Sequence, residues 1–306
     1  MKKKIMETAI LFASAVVIAY AQPEDRQRPQ QRIPDNVEIA RDIVYATAEG
    51  KNLSMDIAYP KEKSEKPRPV VVWIHGGAWR AGDKSHNAAL PLTQSGYFTA
   101  SIDYRLSQEA IWPAQINDCK TAIRFLRAHA EQYGIDPNKI GVWGSSAGGH
   151  LAAMLGTSGD VKELEGGGDW ADRSSRVQAV VDFFGPTNFL KMLDFPSSMK
   201  HDAPDSPESL LIGGPVRDNP DRVRSVDPIS YVSADDPPFL IVHGNKDPLV
   251  PYNQSELLYE ALKKAGVDAQ MILVKDGGHG GWNDQTLPTQ KEILQSVREF
   301  FDRCLK

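Results

Sequence analysis

Lys139-Ile-Gly-Val-Trp-Gly-Ser-Ser-Ala-Gly-Gly-His-Leu-Ala-Ala-Met154 decides how the rest of the chain is read. It begins as a short apolar strand, turns through Gly144-Ser145-Ser146-Ala147-Gly148, and continues as an Ala/Leu-rich helix. Gly-x-Ser-x-Gly between a strand and a helix is a nucleophile elbow. A serine on so sharp a turn needs neighbours nearly devoid of side chain, and Gly144 and Gly148 flank Ser146 at two residues on each side. Ser145 has no such pair. The turn lifts the Ser146 hydroxyl clear of the sheet. The N–H of Ala147, at the start of the helix, then faces any oxyanion formed there.

A strand-to-helix elbow implies an α/β fold, and the flanking sequence agrees. Ile43-Val-Tyr-Ala-Thr47 and Leu53-Ser-Met-Asp-Ile-Ala-Tyr59 alternate apolar and polar residues about Glu49-Gly-Lys51, as an antiparallel hairpin does. Val70-Val-Val-Trp-Ile74, Phe98 to Ile102, Val177 to Phe184, Phe239 to His243 and Met271 to Val274 are short apolar runs suited to buried strands. Helices are predicted over Lys84–Ser95, Pro113–Gln132, Gln254–Ala265 and Thr289–Leu305. Gly185 to Pro238 is irregular and proline-rich, an insertion before the seventh strand. Strands alternating with helices after an opening hairpin give a mostly parallel sheet covered on both faces.

A serine hydroxyl becomes a nucleophile when a base takes its proton and a carboxylate orients that base. Asp247, in His243-Gly-Asn-Lys-Asp-Pro-Leu-Val-Pro251, and His279, in Asp276-Gly-Gly-His-Gly-Gly281, follow Ser146 in the expected order. Both lie just after strands, at the edge where open α/β sheets place their sites. Asp276 is a rival acid, but so close to His279 that a turn-forming role fits it better. His75-Gly76-Gly77 follows a buried strand and can aim backbone N–H groups at the site. The oxyanion donors are assigned to Gly77 and Ala147, with Gly76 as a third. Trp79 is placed against substrate, with packing as its alternative. His75 and His150 are read as structural.

Composition sets the outer bounds. With 306 residues, 41% hydrophobic, 25% charged and a net charge of −5, the chain suits one large α/β domain. No basic stripe points to nucleic acid. Lys2 to Lys4, the apolar run Ala9 to Ala19 and Ala19-Tyr20-Ala21 form an export signal, cleaved after Ala21, with an uncleaved anchor as the alternative. That divides the chain into a signal peptide (1–21), a mobile lead-in (22–36) and a catalytic domain (37–306), with no stable membrane insertion after cleavage. Cys119 and Cys304 are too few for a disulfide scaffold and lack metal-ligand spacing. No cofactor or metal is implied.

Taken together, His75-Gly-Gly-Ala-Trp79, Asp103-Tyr-Arg-Leu106, Gly144-Ser-Ser-Ala-Gly-Gly-His150, His243-Gly-Asn-Lys-Asp247 and Gly278-His279 resemble the α/β-hydrolase superfamily. Within it the chain is most similar to acetyl- and feruloyl-esterase-like carboxylesterases related to hormone-sensitive lipase. The resemblance implies eight strands, a Ser146–His279–Asp247 triad, and Cys119 and Cys304 on opposite faces of the sheet, unpaired. It departs at Ala78, where lipase-type relatives often carry a third glycine, and in the short stretch before the first strand, where they often carry a helical lid. The expected activity is therefore that of a secreted or periplasmic serine carboxylesterase. Its substrate would be a small-molecule or polysaccharide-linked ester with a short acyl group. An arylformamidase-like amide hydrolase and a lipase are the alternatives.

Overall fold

Glu49 and Gly50 both take positive φ, 51° and 81°, the two-residue turn whose twist matches that of a hairpin. The turn joins β1 (Val37–Ala48) to β2 (Lys51–Pro60). Both strands outrun the alternating segments predicted for them, because register shifts at Ala40/Ile43 and Val44/Ala46 break the period-two pattern. The computed structural model describes residues 31–306. The expected export segment and most of the lead-in lie outside the described residues. Pro34–Lys306 forms one unit.

From there strands and helices alternate as β3 (Arg68–Ile74), β4 (Phe98–Ile102), α1 (Ala114–Ala128), α2 (Ala130–Tyr133), β5 (Ile135–Ser145) and α3 (Ala147–Thr157). Then follow α4 (Lys162–Glu165), β6 (Ala179–Phe183), α5 (Phe189–Met192), α6 (Pro207–Ile212) and α7 (Pro220–Val226). The chain closes with β7 (Phe239–Gly244), α8 (Asn253–Ala265), β8 (Ala269–Val274) and α9 (Gln290–Leu305). Among the described residues eight strands form one sheet in the order β1-β2-β4-β3-β5-β6-β7-β8. The β1–β2 and β2–β4 pairs are antiparallel and the remaining pairs parallel.

Two predicted helices differ. Lys84–Ser95 holds only a 3₁₀ turn, Leu90–Ser95. Upstream of it the Asp83 and Asn87 side chains capture the N–H groups of Ser85 and Ala89, a local alternative to helical hydrogen bonding. Pro113–Gln132 breaks at His129, whose φ of −102° and ψ of 20° separate α1 from α2.

β3 shows why its residues run apolar without interruption. Val70, Val72 and Ile74 enter one core cluster, and Val71 and Trp73 the other, so both faces of the strand are covered. The first cluster is closed by α1, α3 and α8, the second by α9 and the 3₁₀ turn. Cys119 lies in the first and Cys304 against the second, and both thiols are free, as expected of residues on opposite faces. The segment between β6 and β7 is no loose loop. It buries Phe189, Met192, Leu211, Ile212, Val216, Val223 and Val226 in the first cluster.

Candidate active site

Ser146 sits between β5 and α3 at φ 55° and ψ −121°, a conformation that side-chain-bearing residues rarely adopt and that concentrates at functional sites. The glycines explain how the turn closes. A Cβ on Gly144 would fall 2.0 Å from the Gly148 carbonyl oxygen, and one on Gly148 would fall 2.1 Å from that of Ile74. The Ser146 N–H donates to the Phe183 carbonyl, which pins the turn to the end of β6.

The loops after β7 and β8 bring the other two residues to the same edge. The Ser146 hydroxyl donates to His279 Nε2 at 2.9 Å, and His279 Nδ1–H donates to Asp247 Oδ2 at 2.7 Å. This assigns one tautomer, because the carboxylate can only accept. Asp247 Oδ1 accepts the N–H groups of Leu249 and Val250 at 2.8 and 3.0 Å, and no part of the side chain reaches solvent. Burial works against its charge, but hydrogen bonds from His243 and His279 outweigh that and hold its carboxyl well below the usual carboxylate range. Such a chain can move a hydroxyl proton onto the imidazole and stabilise the resulting imidazolium. The rival Asp276 is exposed and pairs with Lys246 at 2.5 Å.

The loop after β3 lies against the nucleophile. A Cβ on Gly76 would come within 3.3 Å of Ser146 Cβ, and Gly77 holds φ 108° with the Ala81 carbonyl close behind it. His75 fixes this loop, as read from the sequence. Its Nδ1–H donates to the Gly76 carbonyl, its ring stacks on Tyr104 at 4.3 Å, and Tyr104 donates its hydroxyl to the His75 carbonyl. Burial pushes the imidazole toward its neutral form. The Arg105 guanidinium clasps Asp118 of α1 by two nitrogens, so Asp103-Tyr-Arg-Leu106 is also structural.

Trp79, placed against substrate from the sequence, is instead a packing residue. Positive φ at Ala78 and Trp79, both 55°, turns the indole inward until only 2% of the residue is exposed. Its N–H donates to His150 Nδ1 at 3.2 Å, and His150 Nε2–H donates to the Val226 carbonyl at 2.7 Å. His150 is thus a satisfied buried histidine, pushed down to about 4 by burial.

Phe184 escaped the sequence reading. It directly follows β6 with φ 45°, unusual for an aromatic residue, and its ring lies 4.6 Å from that of His279 and 5.4 Å from that of Trp282. A left-handed phenylalanine leaves no mark in composition or spacing. The segment between β6 and β7 is also tied to the acid loop. Ser198 Oγ–H donates to the Pro248 carbonyl, while Ser197 Oγ–H and His201 Nε2–H donate to that of Leu249.

Residues 55–262 match the BD-FAE family model. The chain belongs to the BD-FAE family. This BD-FAE chain is 31% identical to Esterase LipQ of Mycobacterium tuberculosis over 263 residues, covering 85% of itself and 61% of LipQ. It spans 45% of the probable carboxylic ester hydrolase LipM and 56% of Esterase LipC, both of that organism, so it accounts for about half the length of these curated relatives. A truncated carbohydrate esterase from gut microbiota superposes with a TM-score of 0.77 at 36% identity, covering 87% of this chain and 95% of the other. The esterase Est2 of Thermogutta terrifontis gives 0.69 at 27% identity, covering 87% and 91%. Est2 has also been solved with propionate and with butyrate bound.

Proposed function

We propose that this protein is an exported serine carboxylesterase that removes short acyl groups, acetyl to butyryl, from bulky alcohols such as sugars. The observation that carries the proposal is the unbroken contact from Ser146 through His279 to the enclosed Asp247. Ser146 Oγ attacks the ester carbonyl as His279 Nε2 takes its proton. The carbonyl π pair moves to oxygen, held by the N–H groups of Gly77 and Ala147 with Gly76 as a third donor. Collapse expels the alcohol, which leaves with the proton from His279. Water, deprotonated by the same imidazole, then releases the acid and restores Ser146.

The carbohydrate esterase and Est2 with propionate or butyrate bound support this substrate class. So does the packing of the segment between β6 and β7. The segment from Gly185 to Pro238 buries its own apolar side chains in the core and is hydrogen-bonded to the acid loop, which disfavours a lid that swings open for lipid. A segment anchored in that way leaves a long acyl chain less apolar surface to enter, at a cost of about 0.8 kcal/mol for each CH₂ left in water. On p-nitrophenyl esters, kcat/KM should peak between acetyl and butyryl and fall by roughly tenfold or more at decanoyl. Preference for dodecanoyl would make the enzyme a lipase. Acetylated xylan, feruloylated sugars and N-formylkynurenine complete the panel. Faster turnover of the formamide than of every ester would replace esterase by amide hydrolase.

Gly77→Ala tests the oxyanion assignment. Its Cβ would fall 2.1 Å from the Ala81 oxygen, at a φ that alanine avoids, so the loop must shift. The expected result is a fall in kcat of about 100-fold with KM nearly constant. Unchanged kcat in a folded variant would remove Gly77 from the site. Export rests on Lys2 to Ala21. N-terminal sequencing of protein recovered outside the cytoplasm should begin at Gln22, and retention of Met1 would refute cleavage.

A further inference from the structure

A second imidazole touches the catalytic carboxylate. His243, the penultimate residue of β7, has no solvent exposure, and its Nε2 lies 3.2 Å from Asp247 Oδ2 and 3.0 Å from the Val250 carbonyl oxygen. Both neighbours only accept, so Nε2 carries a hydrogen. On the far side, Nδ1 meets Ser255 Oγ of α8 at 2.7 Å, which fixes the ring against rotation. We infer that His243 is a positioning residue for the triad, clamping Asp247 Oδ2 so that the same oxygen faces His279.

Asp247 receives two backbone N–H groups on Oδ1 and the His279 Nδ1–H on Oδ2, and the His243 Nε2–H, which donates to the Val250 carbonyl, lies against that same Oδ2 at 3.2 Å. With no exposed side-chain surface and the Phe184 ring beside both imidazoles, at 4.6 Å and 6.2 Å, water cannot replace a missing donor. In such a site every hydrogen bond to the charge counts for more than it would in solvent. The clamp also divides the charge on Oδ2. Without His243, Oδ1 is still held by Leu249 and Val250, but Oδ2 loses its lateral contact, so its alignment with His279 loosens while more of its charge falls to that imidazole. Two other charged pairs flank the loop. His201, paired with Glu208, meets the Leu249 carbonyl, and Lys246 pairs with Asp276 at the surface. Neither contacts the Asp247 carboxylate.

The inference rests on the triad reading, so Ser146→Ala is the control. Substantial activity in that variant would overturn the triad itself, whereas its inactivity beside a fully active His243 variant would overturn this inference alone. His243→Leu removes the donor but keeps the bulk. It should lower kcat about 10- to 100-fold with KM within about threefold. It should also move the acid limb of the kcat/KM profile up by about half a pH unit. His243→Gln, whose amide nitrogen reaches toward the Nε2 position, should recover most of the rate and return the limb. Loss of packing alone would lower the rate of both variants and leave the limb where it was, and that result overturns the proposal. So does a folded His243→Leu enzyme within threefold of the parent. If His243→Leu does not fold, Ser255→Ala, which frees the ring from behind, must move the limb in the same direction. An unmoved limb there is equally decisive against the clamp.

Discussion

Ser146→Ala should fold as the parent does and hydrolyse p-nitrophenyl acetate on the order of 10⁴- to 10⁶-fold more slowly. The large loss follows from chemistry, since no other hydroxyl is held by His279 Nε2 among the described residues. The small effect on folding follows from the elbow. Its close approaches belong to Gly144 and Gly148, and the main-chain bond from Ser146 to Phe183 survives removal of the hydroxyl. Alanine tolerates the φ of 55° no worse than serine, so the stability change should stay within about 1 kcal/mol. A serine-directed phosphonate should label the parent at Ser146 and leave the variant unmodified. More than a tenth of the parent's activity in Ser146→Ala would sink the assignment, and labelling of Ser145 would relocate the nucleophile.

Asp247→Asn should cost about 10⁴-fold in kcat while leaving the fold intact. If the new amide presents its N–H₂ to His279, the imidazole must accept at Nδ1 and carry its hydrogen on Nε2. It can then no longer take a proton from Ser146. The variant also separates catalysis from stability. The carboxyl of Asp247 is held well below its usual range in the folded protein, so its ionised form stabilises the native state above the unfolded-chain value of about 3.9. That contribution is lost as pH falls below it. The parent should therefore be the more stable protein at neutral pH, and the two melting temperatures should converge on acidification. Asp276→Asn, which breaks only the surface pair with Lys246, should stay within about threefold of the parent rate. Near-parent activity in Asp247→Asn together with a collapse in Asp276→Asn would reverse the choice of acid.

Much of this site is legible before folding because its constraints are local. Gly144 and Gly148 report a turn that only their own backbone can make. Asp247 and His279 each follow a short apolar strand, and a parallel sheet sends the ends of such strands to one edge. Fold, elbow and triad order were therefore written in the sequence, whereas the separation of Cys119 from Cys304 followed only from the resemblance to the hydrolase fold. Local competition defeated the prediction at Lys84–Ser95, where Asp83 and Asn87 capture main-chain N–H groups that a helix would need.

Tertiary structure decided everything that depends on what lies across a gap. Trp79 reads equally as a wall of the substrate pocket or as a packing residue, and two positive φ angles turn it onto His150. Phe184 and His243 read as ordinary strand residues, yet one lies against His279 and the other contacts Asp247. Spacing along the chain cannot show this, because His243 and Asp247 sit on the two sides of a turn whose path sets their distance. Sequence alone determined which residues can carry out the chemistry. Packing of β6, β7 and α8 around one buried carboxylate determined which others hold them in place, because only there are donors confined where water cannot substitute for them.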